Sequence, residues 1–326
     1  MQRRYLLFFK FIGTIIVLIL AGCGGDAPRD NPLDPVNGIE VKGRVERFYT
    51  TNAIEGAMIT LKPANLITLS DASGNFDLRG EIPGGDYLLT CQATGFRSDS
   101  LSVRLPIPQD VTFKLDALPY FTNISLTTHH ISRFFPPDDL FLVQIEVTVE
   151  DRDGGGDVSQ VTMQIPDFSF VDTLTRVSPQ EQQFITQVEP HQIGLTFLGE
   201  LVGKPFVFQA QDLPGAVSQS DAAFITRIID QTPLTQFPAG GVTLTPPIEF
   251  QWAPVSVPFT FSYTIEIYQS FINFSTLVDA IANIPPANTS YTYTNPLPAG
   301  NFFWVIYIVD EFGNRSRSKK SSFVIP

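Results

Sequence analysis

Reactive side chains are scarce in this chain: 326 residues contain two cysteines and three histidines, and charged residues make up only 17%. Two cysteines cannot supply zinc-spaced Cys pairs. The histidines, His129, His130 and His191, form no His-Glu-x-x-His motif, and the chain has neither a Gly-x-Ser-x-Gly elbow nor a phosphate-cradling loop. His129 and His130 are successive residues of an expected strand, so their rings point to opposite faces and cannot chelate one metal together. Both are expected to be exposed and structural. Acidic residues sit mainly at turns. No set of nucleophile, base and metal emerges, and an enzyme is not expected.

Basic clusters are equally few. The formal charge is −12, and the first 22 residues hold Arg3, Arg4 and Lys10 but no acid. Removing them leaves 18 basic residues against 33 acidic ones, about −15. Nucleic acid is therefore not an expected partner, because a phosphate backbone is gripped by clustered Lys and Arg. The one basic run, Arg315, Arg317, Lys319 and Lys320, alternates with serines beside a turn and is expected to be a solvated edge strand.

What the chain does have is 28 Phe, 26 Pro and 23 Gly with 43% hydrophobic residues. Aromatic strands cut by many turns are the composition of an all-β protein. The length suits two or three domains.

The chain opens with basic residues and an apolar run from Phe11 to Leu20, ending in Leu20-Ala21-Gly22-Cys23. The run from Leu6 to Gly22 is interrupted by Lys10 and Gly13 and is short against the ~20 residues of a bilayer span. Leu-Ala-Gly-Cys resembles the lipobox of bacterial lipoproteins. That resemblance implies a signal peptide over 1–22, cleavage between Gly22 and Cys23, and a lipid on Cys23 that anchors the chain in a membrane. Gly24 after the cysteine, by resemblance to the sorting rule of Gram-negative lipoproteins, implies the outer membrane or cell surface. Residues 23–37 are proline-rich, without periodicity, and read as a flexible tether.

From residue 38 to 118, seven short strands alternate with turn signals: Ile39 to Val45, Ala57 to Leu61, Ile67 to Ser70, Asn75 to Leu78, Asp86 to Thr94, Leu101 to Leu105 and Val111 to Leu115. Cys91 falls on the apolar face of its strand, so no disulfide with Cys23 is expected. Gly74 and Gly85 are expected in turns that need positive φ or tight backbone geometry. Gly43-Arg44-Val45, Ile54-Glu55-Gly56-Ala57, Ser70-Asp71-Ala72-Ser73-Gly74-Asn75-Phe76, Pro83-Gly84-Gly85-Asp86-Tyr87 and Thr94-Gly95-Phe96 together resemble the carboxypeptidase regulatory-like domain. The resemblance implies a transthyretin-like sandwich without catalytic residues of its own.

Two further sandwiches are expected, over 119–230 and 231–326. In the first, Phe141, Val143, Ile145, Val147 and Val149 alternate with Leu142 and polar residues in a half-buried strand that runs into Asp151-Arg152-Asp153-Gly154-Gly155-Gly156-Asp157. Asp151, Asp153 and Asp157 offer oxygen ligands suited to calcium, although the spacing lacks the bidentate Glu of a helical calcium loop. The alternative is a solvated hairpin turn. No other cofactor is expected. In the last segment, Phe302 to Val309 reads as a central strand covered on both sides or as part of a tight dimer face. Trp252 with the run from Ala299 to Asn314 resembles fibronectin type III and related immunoglobulin-like modules.

An internal echo relates the two. Gly203, Phe206, Asp212, Gly215, Ser218, Ser220 and Phe224 recur as Gly300, Phe303, Asp310, Gly313, Ser316, Ser318 and Phe323. In both, an Asp three residues before a Gly predicts a type I turn closing a hairpin. Trp252 and Trp304 are expected in cores, with Phe134, Phe135, Tyr291 and Tyr293 as surface aromatics. The sequence thus predicts an all-β chain of tandem β-sandwich domains, lipid-anchored at the cell envelope, with a non-enzymatic binding or scaffolding role toward a protein or, alternatively, a polysaccharide. A hydrolase with an unrecognised site is the remaining alternative.

Overall fold

The computed structural model describes residues 39–105, 110–179 and 181–326. The expected signal segment, the cleavage point at Gly22 and Cys23, the lipid on Cys23 and the tether of 23–37 lie outside the described residues. Among the described residues, no helix is long and apolar enough to cross a membrane. The chain divides into two compact units, one ending at Ala117 and the other spanning Leu118–Pro326.

The first unit is a two-sheet sandwich of β1 (Ile39–Arg47), β2 (Met58–Lys62), β3 (Leu66–Leu69), β4 (Asn75–Gly80), β5 (Gly85–Gln92), β6 (Asp99–Leu105) and β7 (Val111–Leu115). All seven expected strands are present, with ends within two residues of those read from alternation and turn signals. One sheet has the order β4-β1-β7, with β1 and β7 parallel, and the other the order β3-β2-β5-β6. Val41, Val45, Phe76, Leu78 and Phe113 of the first sheet pack into one core with Ile59, Leu61, Leu89 and Cys91 of the second. Burial pushes the Cys91 thiol up to about 12, with Asp99 adding to the shift, because a thiolate there would lose its water. Gly74 has φ +78, and a Cβ on it would lie 2.5 Å from Val45 O, so the expected turn requirement is met. Gly85 instead lies in β5 with ordinary space around it and no positive φ.

The second unit holds β8 (Tyr120–Ile131), β9 (Leu140–Glu150), β10 (Val158–Ile165), β11 (Phe170–Thr173), β12 (Thr175–Arg176), β13 (Gln183–Val188), β14 (Pro205–Asp212), β15 (Val217–Gln219) and β16 (Ala223–Phe224) in its first half. Its second half holds β17 (Thr235–Phe237), β18 (Val242–Thr243), β19 (Ile248–Trp252), β20 (Phe261–Ser270), β21 (Ser275–Ile284), β22 (Ser290–Tyr293), β23 (Gly300–Asp310), β24 (Arg315–Arg317) and β25 (Ser321–Ile325). Each half has its own core. In the first, Val143, Ile145, Val147 and Val149 of β9 pack with Met163 of β10 and with Phe206 and Phe208 of β14. In the second, Phe250 and Trp252 of β19 pack with Tyr263 and Ile265 of β20 and with Trp304 and Ile306 of β23. Both tryptophans are buried, as expected of core residues.

The two halves share a sheet. It runs β12-β13-β9-β8-β24-β23-β20-β21, and its two parts join where β24 pairs with β8 in parallel, Ser316 opposite His130. The Arg315–Arg317 part of the basic run expected to be a solvated edge is therefore internal to the sheet, while Lys319 and Lys320 follow it outside any strand. Its alternation is what allows this: Ser316 and Ser318 point into the interior, while Arg315 and Lys319 stay exposed.

Side chains reinforce the junction. Asn314 Oδ1 accepts from Thr128 N at 2.9 Å and lies 3.1 Å from Thr128 Oγ1, all within buried surroundings. The connecting segment is pinned as well. Thr128 Oγ1 donates to Arg227 O at 3.0 Å, and Arg227 Nη1 lies 3.0 Å from Asp310 Oδ2 and 3.0 Å from Glu311 Oε1. Ile228 then packs on the first core and Ile229 inserts into the second. Consecutive side chains of an extended chain point to opposite sides, so two residues suffice to stitch both cores to the connection.

The internal echo is visible in the hydrogen bonds. Gly215 N donates to Asp212 O at 3.3 Å and Gly313 N to Asp310 O at 3.2 Å, closing the two expected turns. Ser220 Oγ accepts from Phe208 N at 3.0 Å and donates to Asp221 O. Ser318 Oγ likewise accepts from Ile306 N at 3.0 Å and donates to Lys319 O.

Because Asn314 satisfies a buried N–H that its loss would strand, Asn314→Ala is expected to destabilise the chain by about 1–3 kcal/mol. Urea denaturation checks this; an unchanged midpoint would show that the junction does not depend on that side chain.

Candidate functional site

Three places concentrate groups able to bind something: an acidic turn, an apolar hairpin and an open cleft. The acidic turn links β9 to β10. Asp151 Oδ1 accepts from Asp153 N at 2.7 Å, and Gly154 N donates to Asp151 O at 3.2 Å, so the segment is locally an Asx-type turn. Of the residues read as calcium ligands, Asp151 and Asp157 come together with a third that the sequence reading missed, Asp212 at the end of β14. One carboxylate oxygen from each lies within 4.8 Å of the others, and all three residues are buried. The pairing of Val158 with Asp212 across β10 and β14 produces this meeting. Asp153 is half-buried; it supplies its N–H to Asp151 and adds its charge nearby. Burial raises the Asp151 carboxyl to about 6, against the lowering effect of the Asp153 N–H, and the charges of Asp157, Asp153 and Asp212 raise it further. The only signal for Asp212 was the echo with Asp310, which marks a turn and says nothing of what it faces.

The histidines are less exposed than expected. His130 is buried, stacked on Phe141 at 4.0 Å, with Nδ1 3.1 Å from Ile229 O and Nε2 2.9 Å from Asp139 Oδ2. It is a structural tie between β8 and the connecting segment. His129, on the opposite face, is half-buried and opposite Arg315 in the β8/β24 register. His191 is exposed beside Glu189.

Of the expected surface aromatics, Phe134 and Phe135 are exposed, with Lys319 Nζ 5.1 Å from the Phe134 ring centre. Tyr293 is buried against Phe250 and Tyr291 packs partly on the same core, because β22 lies over the second half's interior. The more prominent apolar surface is the hairpin between β20 and β21. Phe271 and Phe274 stack at 4.7 Å across its tip, Ile272 is 100% exposed and Phe274 64%. Leu277 and Val278 extend the patch along β21, which is the terminal strand of its sheet among the described residues. The signal was three large apolar residues in four at a turn, a pattern easily assigned to a core.

The cleft has a volume of about 1030 Å³ and lies wholly within the second unit, lined by Arg133, Asp138, Glu189, His191, Phe197 and Arg227 among others. Phe197 is well exposed there.

Residues 40–117 match the model of the carboxypeptidase regulatory-like domain family, and this range lies within the first unit and ends where it ends. No curated protein matches the chain. Among solved structures, it is similar to a DUF3823 family protein from Bacteroides ovatus at a TM-score of 0.26 and 10% identity, over 58% of this chain and 98% of that one. The major pilin subunit BcpA of Bacillus cereus aligns at a TM-score of 0.30 and 9% identity, over 85% and 91%. The FN1-FN3 domains of chicken CNTN1 align at 0.31 and 11%, over 82% and 90%.

Burial, with the Arg315 guanidinium adding to it, pushes the His129 imidazole from 6.5 down to about 4. The unfolded chain therefore takes up this proton below pH 6.5 while the folded chain resists until about pH 4, so stability is lost across that window as pH falls. Asp151 acts with the opposite sign, since its folded form binds a proton first. His129→Gln should thus gain stability relative to the unmodified chain between pH 7.5 and pH 5, read from urea midpoints at the two pH values. Parallel midpoints would contradict this.

Proposed function

We propose that this chain is a lipid-anchored component of the cell envelope, held at the outer membrane or cell surface through Cys23. Its sandwich domains bind or scaffold other proteins and catalyse no reaction. The observation that carries the binding role is the hairpin tip of Phe271, Ile272 and Phe274, continued by Leu277 and Val278 on a terminal strand. Large apolar side chains held in water are unfavourable, and a contiguous patch of them marks an interaction surface. An unpaired strand edge beside it adds backbone donors and acceptors to which a partner strand can pair. The match of residues 40–117 to a regulatory-like domain supports the non-enzymatic reading.

The polysaccharide reading rests on the cleft, where exposed Phe197 lies beside Arg133, Glu189 and His191, an aromatic face flanked by polar groups. A glycan array with the full chain and Phe197→Ala tests it: ligand-specific signal lost in the variant would favour this reading over protein scaffolding.

Two outcomes are expected for the leading proposal. Crosslinked pull-down from membranes should recover a protein partner, and combined Phe271→Ser, Ile272→Ser and Phe274→Ser should weaken recovery about tenfold or more, since each buried side chain of this kind contributes about 1.5–3 kcal/mol. Equal recovery would remove the hairpin from the account. Separately, Cys23→Ser should abolish metabolic labelling with a lipid precursor; a labelled variant would end the anchoring proposal.

A further inference from the structure

The sheet β3-β2-β5-β6 of the first unit carries apolar residues on both of its faces. Ile59, Leu61, Leu89 and Cys91 fill the core. On the other face, Ile67 and Leu69 are each 61% exposed, Leu88 39% and Met58 37%. An antiparallel sheet with one face in water alternates apolar with polar residues, whereas strands written Leu66-Ile67-Thr68-Leu69 and Leu88-Leu89 suit a sheet covered on both sides. Large apolar side chains gathered on an open face mark an interaction surface.

The strand registers fix how this face is laid out. Thr60 pairs with Ile67 on one side and Thr90 on the other, and Thr90 pairs with Ser100, so one row across all four strands reads Ile67-Thr60-Thr90-Ser100. The flanking rows are Leu69-Met58-Gln92 and Lys62-Leu88-Ser102. Bulk is therefore graded across the sheet. Branched aliphatic side chains stand on β3 and hydroxyls on β6, the two terminal strands of this sheet among the described residues.

A face graded in this way is complementary to itself. A two-fold axis parallel to the strands lays β3 of one copy over β6 of the other and β2 over β5, within the ~30° at which aligned sheets pack. Ile67 then meets Ser100 and Thr60 meets Thr90, bulk against small and hydroxyl against hydroxyl. Charge fits the same arrangement. Lys62 is the one charged residue in the three rows, in a chain of net charge −12, and it falls opposite Leu88 and not opposite a second lysine. Asp86 lies one row beyond Leu88, beside Arg104, so Lys62 of one copy comes within reach of Asp86 of the other.

Four strands ~4.8 Å apart and about five residues of ~3.3 Å each give a flat footprint on the order of 300 Å² per copy. With side-chain relief, two copies remove on the order of 1,000 Å² from water, the lower end of specific interfaces. We propose that the outer face of β3-β2-β5-β6 pairs with the same face of a second copy of this chain, as a weak two-fold dimer with β3 over β6. This surface belongs to the first unit and is independent of the hairpin of Phe271–Phe274 in the second.

The test is cysteine crosslinking of the full chain in the cells that express it, with a short bismaleimide able to bridge sheets ~10 Å apart. Two differently tagged variants, Ile67→Cys and Ser100→Cys, are expressed together. They should join to each other in a species of twice the chain's mass. Either variant expressed alone should yield about tenfold less, because equal positions then sit at opposite edges, about 14 Å apart laterally. Adding Met58→Glu to both should cut the joined species about tenfold or more, since it buries a charge in the apolar face. The combination of Phe271→Ser, Ile272→Ser and Phe274→Ser should leave it unchanged, which separates this dimer from the hairpin's partner. If Ile67→Cys does not accumulate, Leu69→Cys, one row away on β3, takes its place. The proposal is overturned by the absence of a joined species from the co-expressed pair, by equal yield from either variant alone, by an unchanged yield with Met58→Glu, or by crosslinks only to a different protein.

Discussion

The second unit depends on the pairing of β24 with β8. A small sandwich leaves strand edges whose N–H and C=O groups must find partners, and here the edges of two sandwiches satisfy each other. Three residues of β24 give few backbone bonds, so the junction draws on neighbouring side chains. Asn314 reaches Thr128, His130 reaches Ile229 O, and Arg227 reaches Asp310, each crossing between segments far apart in sequence. With Ile228 packed against one core and Ile229 in the other, the connection is tied to both halves. The hairpin of Phe271–Phe274 is consequently carried on the same sheet as β8 and β9.

Turn chemistry recurs through the chain with different consequences. Asp71 in the first unit, and Asp212 and Asp310 in the second, each direct one carboxylate oxygen to a backbone N–H within their own turn. That bond is local and follows from the Asp-x-x-Gly pattern, which explains why three separate turns share it. The second oxygen is left to tertiary structure. For Asp310, it meets an arginine, whereas one carboxylate oxygen of Asp212 lies within 4.8 Å of one from Asp151 and one from Asp157.

Legibility followed the range of the physics involved. Period-two alternation and turn residues are local, and they located all seven strands of the first unit, the buried thiol of Cys91 and the constrained backbone of Gly74. Burial of polar and aromatic residues was harder. His130 and Tyr293 read as surface residues, yet each sits against an aromatic partner supplied by another strand, Phe141 and Phe250. The run from Arg315 to Lys320 read as an edge because its charges suggested water on one side. Alternation allows Ser316 and Ser318 to face inward while the backbone of Arg315–Arg317 pairs on both sides. Phe271 to Phe274 drew no reading from the sequence, since only their position at a hairpin tip leaves these apolar residues in water.

The amino-acid sequence alone determined that this is an all-β chain of sandwich modules and that Asp71, Asp212 and Asp310 with Gly74, Gly215 and Gly313 make its turns. These depend on interactions between residues a few positions apart. Tertiary structure alone decided that two sandwiches share one sheet, that Asp212 joins Asp151 and Asp157, and that an apolar hairpin stays exposed. Those outcomes depend on which strand edges meet, and such meetings between distant segments leave no periodic trace in the order of residues.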